Sequence, residues 1–211
     1  AVLASQFINE RLAADAGLEP WQIGLGHAFE IDPMLEDGLL YEIAQAQAAR
    51  EIFPDSPLKY MPPTKHMTGN VFRGYQQNAF FVLTSVVTGQ SIHLLGMLTE
   101  ALHTPLLSDR WLSIDQARTI RANARHLGEE ILFRPEGRIV RRAHEVLEQA
   151  ERLLERIAGV GLFEALASGI FADTRRPPDG GRGREGVLPR HPEYSNPFRE
   201  VWDREPAGAA S

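Results

Sequence analysis

Between Trp21 and Pro105 the chain repeats one order of elements, a short apolar strand, a punctuated loop and an apolar helix. The repeat recurs about three times at spacings of roughly 35 residues, which predicts βα units and a parallel sheet. Trp21 to Ile31, bounded by Pro20 and Pro33, reads as a buried strand and its exit loop. A helix follows over 35–52, with Leu39, Ile43, Ala46 and Arg50 at helical spacing, and Pro54 and Pro57 end it. Leu58 to Met61 is the second strand, Pro62 to Asn70 its loop, and 71–88 an apolar helix broken by Gly89. Ser91 to Leu98 is the third strand, with its loop over Thr99–Pro105.

The flanks read as helical. Residues 2–16 form a helix stopped by Gly17. Ser113 and Gln116 read as a capping box opening a helix that runs to about Ile131. An amphipathic helix covers 138–158, with Ala143, Val146, Leu147, Ala150, Leu153, Leu154 and Ile157 on one stripe and a solvated Arg/Glu face opposite. A short helix spans about 162–169. From Asp173 the chain turns to Pro, Gly and Arg, including Arg175-Arg176-Pro177-Pro178, which reads as an extended arm. The Ala/Gly tail after Trp202 is expected to be disordered.

A closed eight-fold barrel needs about 250 residues, so three units are the last part of a TIM-type (β/α)8 barrel followed by a helical extension. The expected division is 1–110 for the barrel part, 111–172 for the helices and 173–211 for the arm and tail. The chain opens Ala-Val-Leu-Ala directly into a helix, with no methionine and no basic n-region. It is therefore expected to be a piece of a longer protein.

Composition narrows the chemistry. A net charge of -6 argues against nucleic acid as partner. The absence of cysteine removes thiolate catalysis, disulfides and Cys-based metal sites, and it fits a reducing cytoplasm. No apolar run reaches the roughly 18 residues of a membrane span. Of 22 basic residues only Lys59 and Lys65 are lysines, and both flank one Pro-Pro turn. Lysine offers a compact ammonium where arginine offers a planar fork.

In a parallel αβ fold, function gathers at the carboxyl ends of the strands. The first exit carries His27, Glu30 and Asp32, the second Lys65, His66 and Thr68, the third Glu100, His103 and Thr104. There is no HExxH and no GxSxG, so a metal would need ligands from three loops and a serine hydrolase lacks its elbow. Lys65 beside His66 permits a Schiff-base lysine, but the phosphate cup is only partly present as Thr68-Gly69-Asn70. Ser91-Ile92-His93-Leu94-Leu95-Gly96 resembles a cobalt-ligating Asp-x-His-x-x-Gly loop. Serine stands where the orienting aspartate belongs, so His93 reads as a buried barrel residue.

Long strings of this chain resemble the large (alpha) subunit of lysine 5,6-aminomutase. They are Lys59-Tyr60-Met61-Pro62-Pro63-Thr64-Lys65-His66-Met67-Thr68-Gly69, then Thr88-Gly89-Gln90-Ser91-Ile92-His93 through Leu102-His103-Thr104-Pro105, and Gly169-Ile170-Phe171-Ala172-Asp173 with Arg176-Pro177 and Asp179-Gly180-Gly181. With Asn123-Ala124-Arg125-His126-Leu127-Gly128-Glu129-Glu130 between them, the similarity covers most of residues 20–200. Subunits of that family are more than twice this length, so the resemblance implies a carboxyl-terminal portion.

The resemblance implies an isomerase that uses adenosylcobalamin and pyridoxal 5'-phosphate. It moves the terminal amino group of D-lysine or L-β-lysine to the neighbouring carbon by a radical 1,2-shift. It also implies a hetero-oligomer in which the small (beta) subunit carries the cobalt-ligating histidine and the Schiff-base lysine. Neither His93 nor Lys65 is then needed for those roles. Lys65 would pair with the substrate carboxylate, with His66, Glu100 and His103 as wall residues. The pyridoxal-stacking tyrosine and the carboxylate near the substrate amine would lie upstream of residue 1. An ornithine 4,5-aminomutase-like enzyme and a non-catalytic scaffold piece are the alternatives.

Overall fold

The computed structural model describes residues 1–28, 32–62 and 64–171, and of His27 and Ala28 the backbone alone. The elements in order are α1 (Val2–Asp15), β1 (Gly26–Ala28), α2 (Gly38–Ile52), β2 (Lys59–Met61), α3 (Val71–Val87), β3 (Ile92–His93), α4 (Leu107–Asn123), α5 (Arg138–Val160) and α6 (Leu162–Ser168). The strands form one parallel sheet in the order β1-β2-β3. The expected α/β pattern of parallel strands joined through helices is present.

Register assigns the two faces. His27, Tyr60 and His93 align across the sheet, as do Gly26, Lys59 and Ile92. Aligned residues share a face, and neighbours along a strand alternate. Tyr60 stacks on Phe81 of α3 with ring centroids 5.3 Å apart, so Tyr60 and its neighbour His93 face the helices. Lys59 and Met61 lie on the other face.

The main core forms on the helix side. Leu3 and Ala4 of α1 meet Ile23, Leu25, Ala49, Phe53, Leu58 and Ala150. Phe7 and Phe53 pack with centroids 5.2 Å apart. The predicted stripe of α5 supplies Ala150 to this core, with Val146, Leu153 and Leu154 packed beside it. Its opposite face carries the ion pairs Arg142–Glu145 and Arg152–Glu148, as expected of a solvated surface.

Four expectations need correction. The first strand is three residues long, and Trp21 sits in a 3₁₀ turn over Pro20–Gln22 with 69% of its surface exposed. α2 begins at Gly38 rather than residue 35, because Asp37 adopts a left-handed conformation (φ 59) that interrupts the helix. The third strand is Ile92–His93 alone, and Leu94 to Leu98 is loop. Ser113 and Gln116 do not cap α4: they lie inside it and are buried, the helix begins at Leu107, and it ends at Asn123, well short of Ile131. The arm from Asp173, its arginine run and the tail after Trp202 lie outside the described residues.

No helix among the described residues is long and apolar enough to cross a membrane.

Candidate functional site

The second strand exit is built on buried ends with an exposed turn between them. Pro62 and Met67 are fully buried. Between them Thr64–His66 forms a 3₁₀ turn, in which Lys65 is exposed and His66 half-buried. The Nε2 of His66 is buried and has no partner among the described residues. Gly69 then adopts a left-handed conformation (φ 84), which glycine accepts without a Cβ penalty. Asn70 Oδ1 accepts the Arg73 N–H at 3.1 Å and so caps α3.

The third exit is organised by its own side chains. Glu100 Oε2 accepts the Met97 N–H at 2.6 Å. His103 Nδ1 donates to the Thr104 carbonyl at 2.8 Å, which puts the proton on that nitrogen and leaves Nε2 as an acceptor in the neutral ring. Thr99 Oγ1 donates to Asp109 Oδ2 at 2.5 Å, tying the loop to the start of α4.

These two loops are joined. The Gly69 N–H donates to the Leu98 carbonyl at 3.1 Å, and the Ala101 N–H to the Met67 carbonyl at 3.2 Å. Lys65 and His66 therefore sit on a loop fastened directly to the one bearing Glu100 and His103. Parallel pairing puts both loops at the carboxyl end of the strands. Thr68 and Thr104 are exposed on the same loops. From the first exit, Glu30 and the His27 side chain lie outside the described residues. Asp32 Oδ1 accepts the Met34 N–H at 2.9 Å and so shapes its own turn.

His93 lies in β3, on the helix-facing row and half-buried. Its Nε2 is 3.2 Å from the Gln90 carbonyl, and its Nδ1 is buried without a partner among the described residues. Burial lowers its pKa, the Gln90 carbonyl opposing and Arg121 adding to the effect. Among the described residues no group of three or more His, Asp or Glu could hold a metal ion.

Two buried polar arrangements escaped the sequence reading. On the helix side of β2, the Tyr60 hydroxyl donates to Glu42 Oε2 of α2. Between α3 and α4, Asn78 Nδ2 donates to Gln116 Oε1, while Asn78 Oδ1 and Ser113 Oγ bond the N–H and carbonyl of Gly96. The only sequence signal was polar residues at helix positions that should face the core. A cavity of about 450 Å³ lies between α2 and α3, lined by Leu39, Glu42, Phe72, Gln77, Phe80 and Phe81. Asp32, Met34 and Leu35 of the first strand exit and Asn70 of the second also line it, so it lies beside those exits, at the start of α2 and α3.

Residues 1–201 match the family described as the D-lysine 5,6-aminomutase TIM-barrel domain of the alpha subunit. This chain belongs to that family. It is 58% identical over 200 residues to the lysine 5,6-aminomutase alpha subunit of Acetoanaerobium sticklandii, covering 95% of this chain and 38% of that protein. It is 55% identical over 197 residues to the alpha subunit of Fusobacterium nucleatum subsp. nucleatum, covering 93% of this chain and 38% of that one. The chain thus spans well under half the length of the relatives it matches. Membership assigns the parallel sheet and its crossover helices to a TIM-barrel domain.

Proposed function

We propose that this chain is the last part of the barrel of an aminomutase large subunit, with residues 1–110 supplying strands and 111–172 a helical extension. The enzyme would act with a small subunit on D-lysine or L-β-lysine, in a cytoplasmic setting. Adenosylcobalamin and pyridoxal 5'-phosphate, anchored mainly by the small subunit, would supply a carbon radical and a carrier for the migrating nitrogen.

The observation that carries the reading is the Lys65 turn, exposed at the carboxyl end of β2 and bound to the loop of Glu100 and His103. An ammonium there suits the substrate carboxylate through a charge-assisted hydrogen bond. Holding that end of a long flexible diamino acid sets which carbon meets the radical. His66, Glu100 and His103 would line the wall. The sheet face away from the helices, carrying Met61 and Ile92, would line the lumen and keep water from the reacting carbons.

The test uses the complete subunit assembled with its small partner and both cofactors. Turnover of D-lysine or L-β-lysine to a 2,5- or 3,5-diamino acid is expected. Lys65→Gln should then lower kcat/KM by roughly 10- to 100-fold, mostly through KM, the equivalent of a lost hydrogen bond to a charged group. Turnover of ornithine instead would reassign the enzyme to the ornithine class. Stable assembly without turnover of either would leave a scaffold.

A further inference from the structure

The peptide group of Gly96 is held from both sides by buried side chains. Its N–H donates to Asn78 Oδ1 at 3.0 Å, and its carbonyl accepts from Ser113 Oγ at 2.8 Å. Asn78 Nδ2 donates to Gln116 Oε1 at 2.8 Å, and Gln116 Nε2 donates to the Tyr75 carbonyl at 2.6 Å. Asn78 and Ser113 are fully buried and Gln116 nearly so. Every amide oxygen and nitrogen in this set is therefore bonded. Buried polar networks that are fully satisfied rigidify one arrangement, because any shift leaves a polar atom unpaired away from water.

Gly96 in turn supports the Lys65 loop. A Cβ at Gly96 would lie 2.7 Å from Met67 Cε and 2.8 Å from Pro62 Cγ. Pro62 and Met67 are the buried ends between which Thr64–His66 turns. The chain of contact runs from α3 and α4, through Gly96, to both feet of the turn that presents Lys65.

We infer that Asn78, Ser113 and Gln116 are positioning residues for Lys65, acting through Gly96 and Met67. The inference rests on the reading of Lys65 as the carboxylate grip. None of the three needs to touch substrate. Their effect is to hold the ammonium where it meets the substrate carboxylate, so that losing them weakens binding more than it slows the chemistry.

The test is a double-mutant cycle in the assembled enzyme with both cofactors. Ser113→Ala removes one bond to Gly96 and little volume. It should raise KM roughly 5-fold with kcat changed less than about 2-fold, and this effect should vanish in a Lys65→Gln background. Gly96→Ala, which keeps the bonds but pushes on Met67 and Pro62, runs through the same cycle should Ser113→Ala fail to assemble. Equal fold-changes with and without Lys65 would overturn the inference, as would an unchanged KM in both variants. An unchanged KM in Lys65→Gln itself would instead remove the carboxylate-grip reading, and this inference with it.

Discussion

The Tyr60 hydroxyl donates its hydrogen bond to a Glu42 carboxyl that is 3% exposed and whose other oxygen has no partner among the described residues. Burial of the carboxyl under α2 raises its pKa to about 8, the bond from Tyr60 opposing the shift without cancelling it. Burial and the same carboxyl raise the tyrosine.

A pH dependence of stability follows. The folded pKa lies above the unfolded value of 4.5, so the folded state favours the proton. Nothing is lost below pH 4.5. Stability falls as pH rises from there to about 8, by an amount on the order of a few kcal/mol, and is flat above. Glu42→Gln keeps an acceptor for Tyr60 and carries no charge. It should match the parent at pH 4 and exceed it by about 2 kcal/mol or more at pH 8.5, read by denaturant unfolding of the complete subunit. An equally steep decline in the variant would rule out Glu42 as its source.

Two glycines should respond differently to alanine. At Gly128 a Cβ would lie 2.4 Å from the Val87 carbonyl oxygen, and the backbone at the end of α3 cannot retreat. Gly128→Ala should cost about 1–3 kcal/mol, as overpacking does. At Gly26 the obstacle is Lys59 Cε at 2.5 Å, near the end of a flexible chain. Gly26→Ala should stay within about 1 kcal/mol of the parent while redirecting the Lys59 ammonium. Matching losses in melting temperature would contradict this difference.

Arg50 ties the segment between α2 and β2 to Ser91, just before β3. Its Nη1 donates to the carbonyls of Phe53, Pro54 and Ser56 at 3.2, 3.0 and 3.1 Å, and its Nη2 to Ser91 Oγ at 3.2 Å. A cation at the C-terminal end of α2 also suits the helix dipole. Arg50→Met keeps the stem and should lower stability by about 1–3 kcal/mol. Arg50→Lys should recover only part of it, because an ammonium cannot span the same acceptors as the planar fork. Full recovery by lysine in thermal unfolding would mean that charge alone matters there.

The stripe of α5 was legible because burial of one helix face imposes a 3.6-residue period on the chain itself. Strand lengths were not. Ile92–His93 scores as apolar along with Leu94 and Leu95, but a strand ends where pairing stops, and β3 pairs with β2 only at Lys59–Ile92 and Tyr60–His93. Trp21 looked like core by its type alone, yet no element covers it. Ser113-x-x-Gln116 has the form of a capping box. Its true role needed Gly96 and Asn78 beside it, residues 17 and 38 positions away in the chain.

The candidate site divides the same way. The lysine-bearing Pro-Pro turn could be singled out by residue type and punctuation, since turns are local and only a few residues write them. That its loop is stitched to the one carrying Glu100 and His103 is decided by strand order and two backbone hydrogen bonds.

By itself the sequence determined the βα repeat, the buried stripe of α5 and the family, since each is carried by local periodicity or by long runs of matching residues. Only the tertiary structure decided that burial raises the Glu42 pKa beside Tyr60 and that Gly96 supports the Lys65 turn. Burial and contact between distant segments set those properties, and neither quantity belongs to any one stretch of chain.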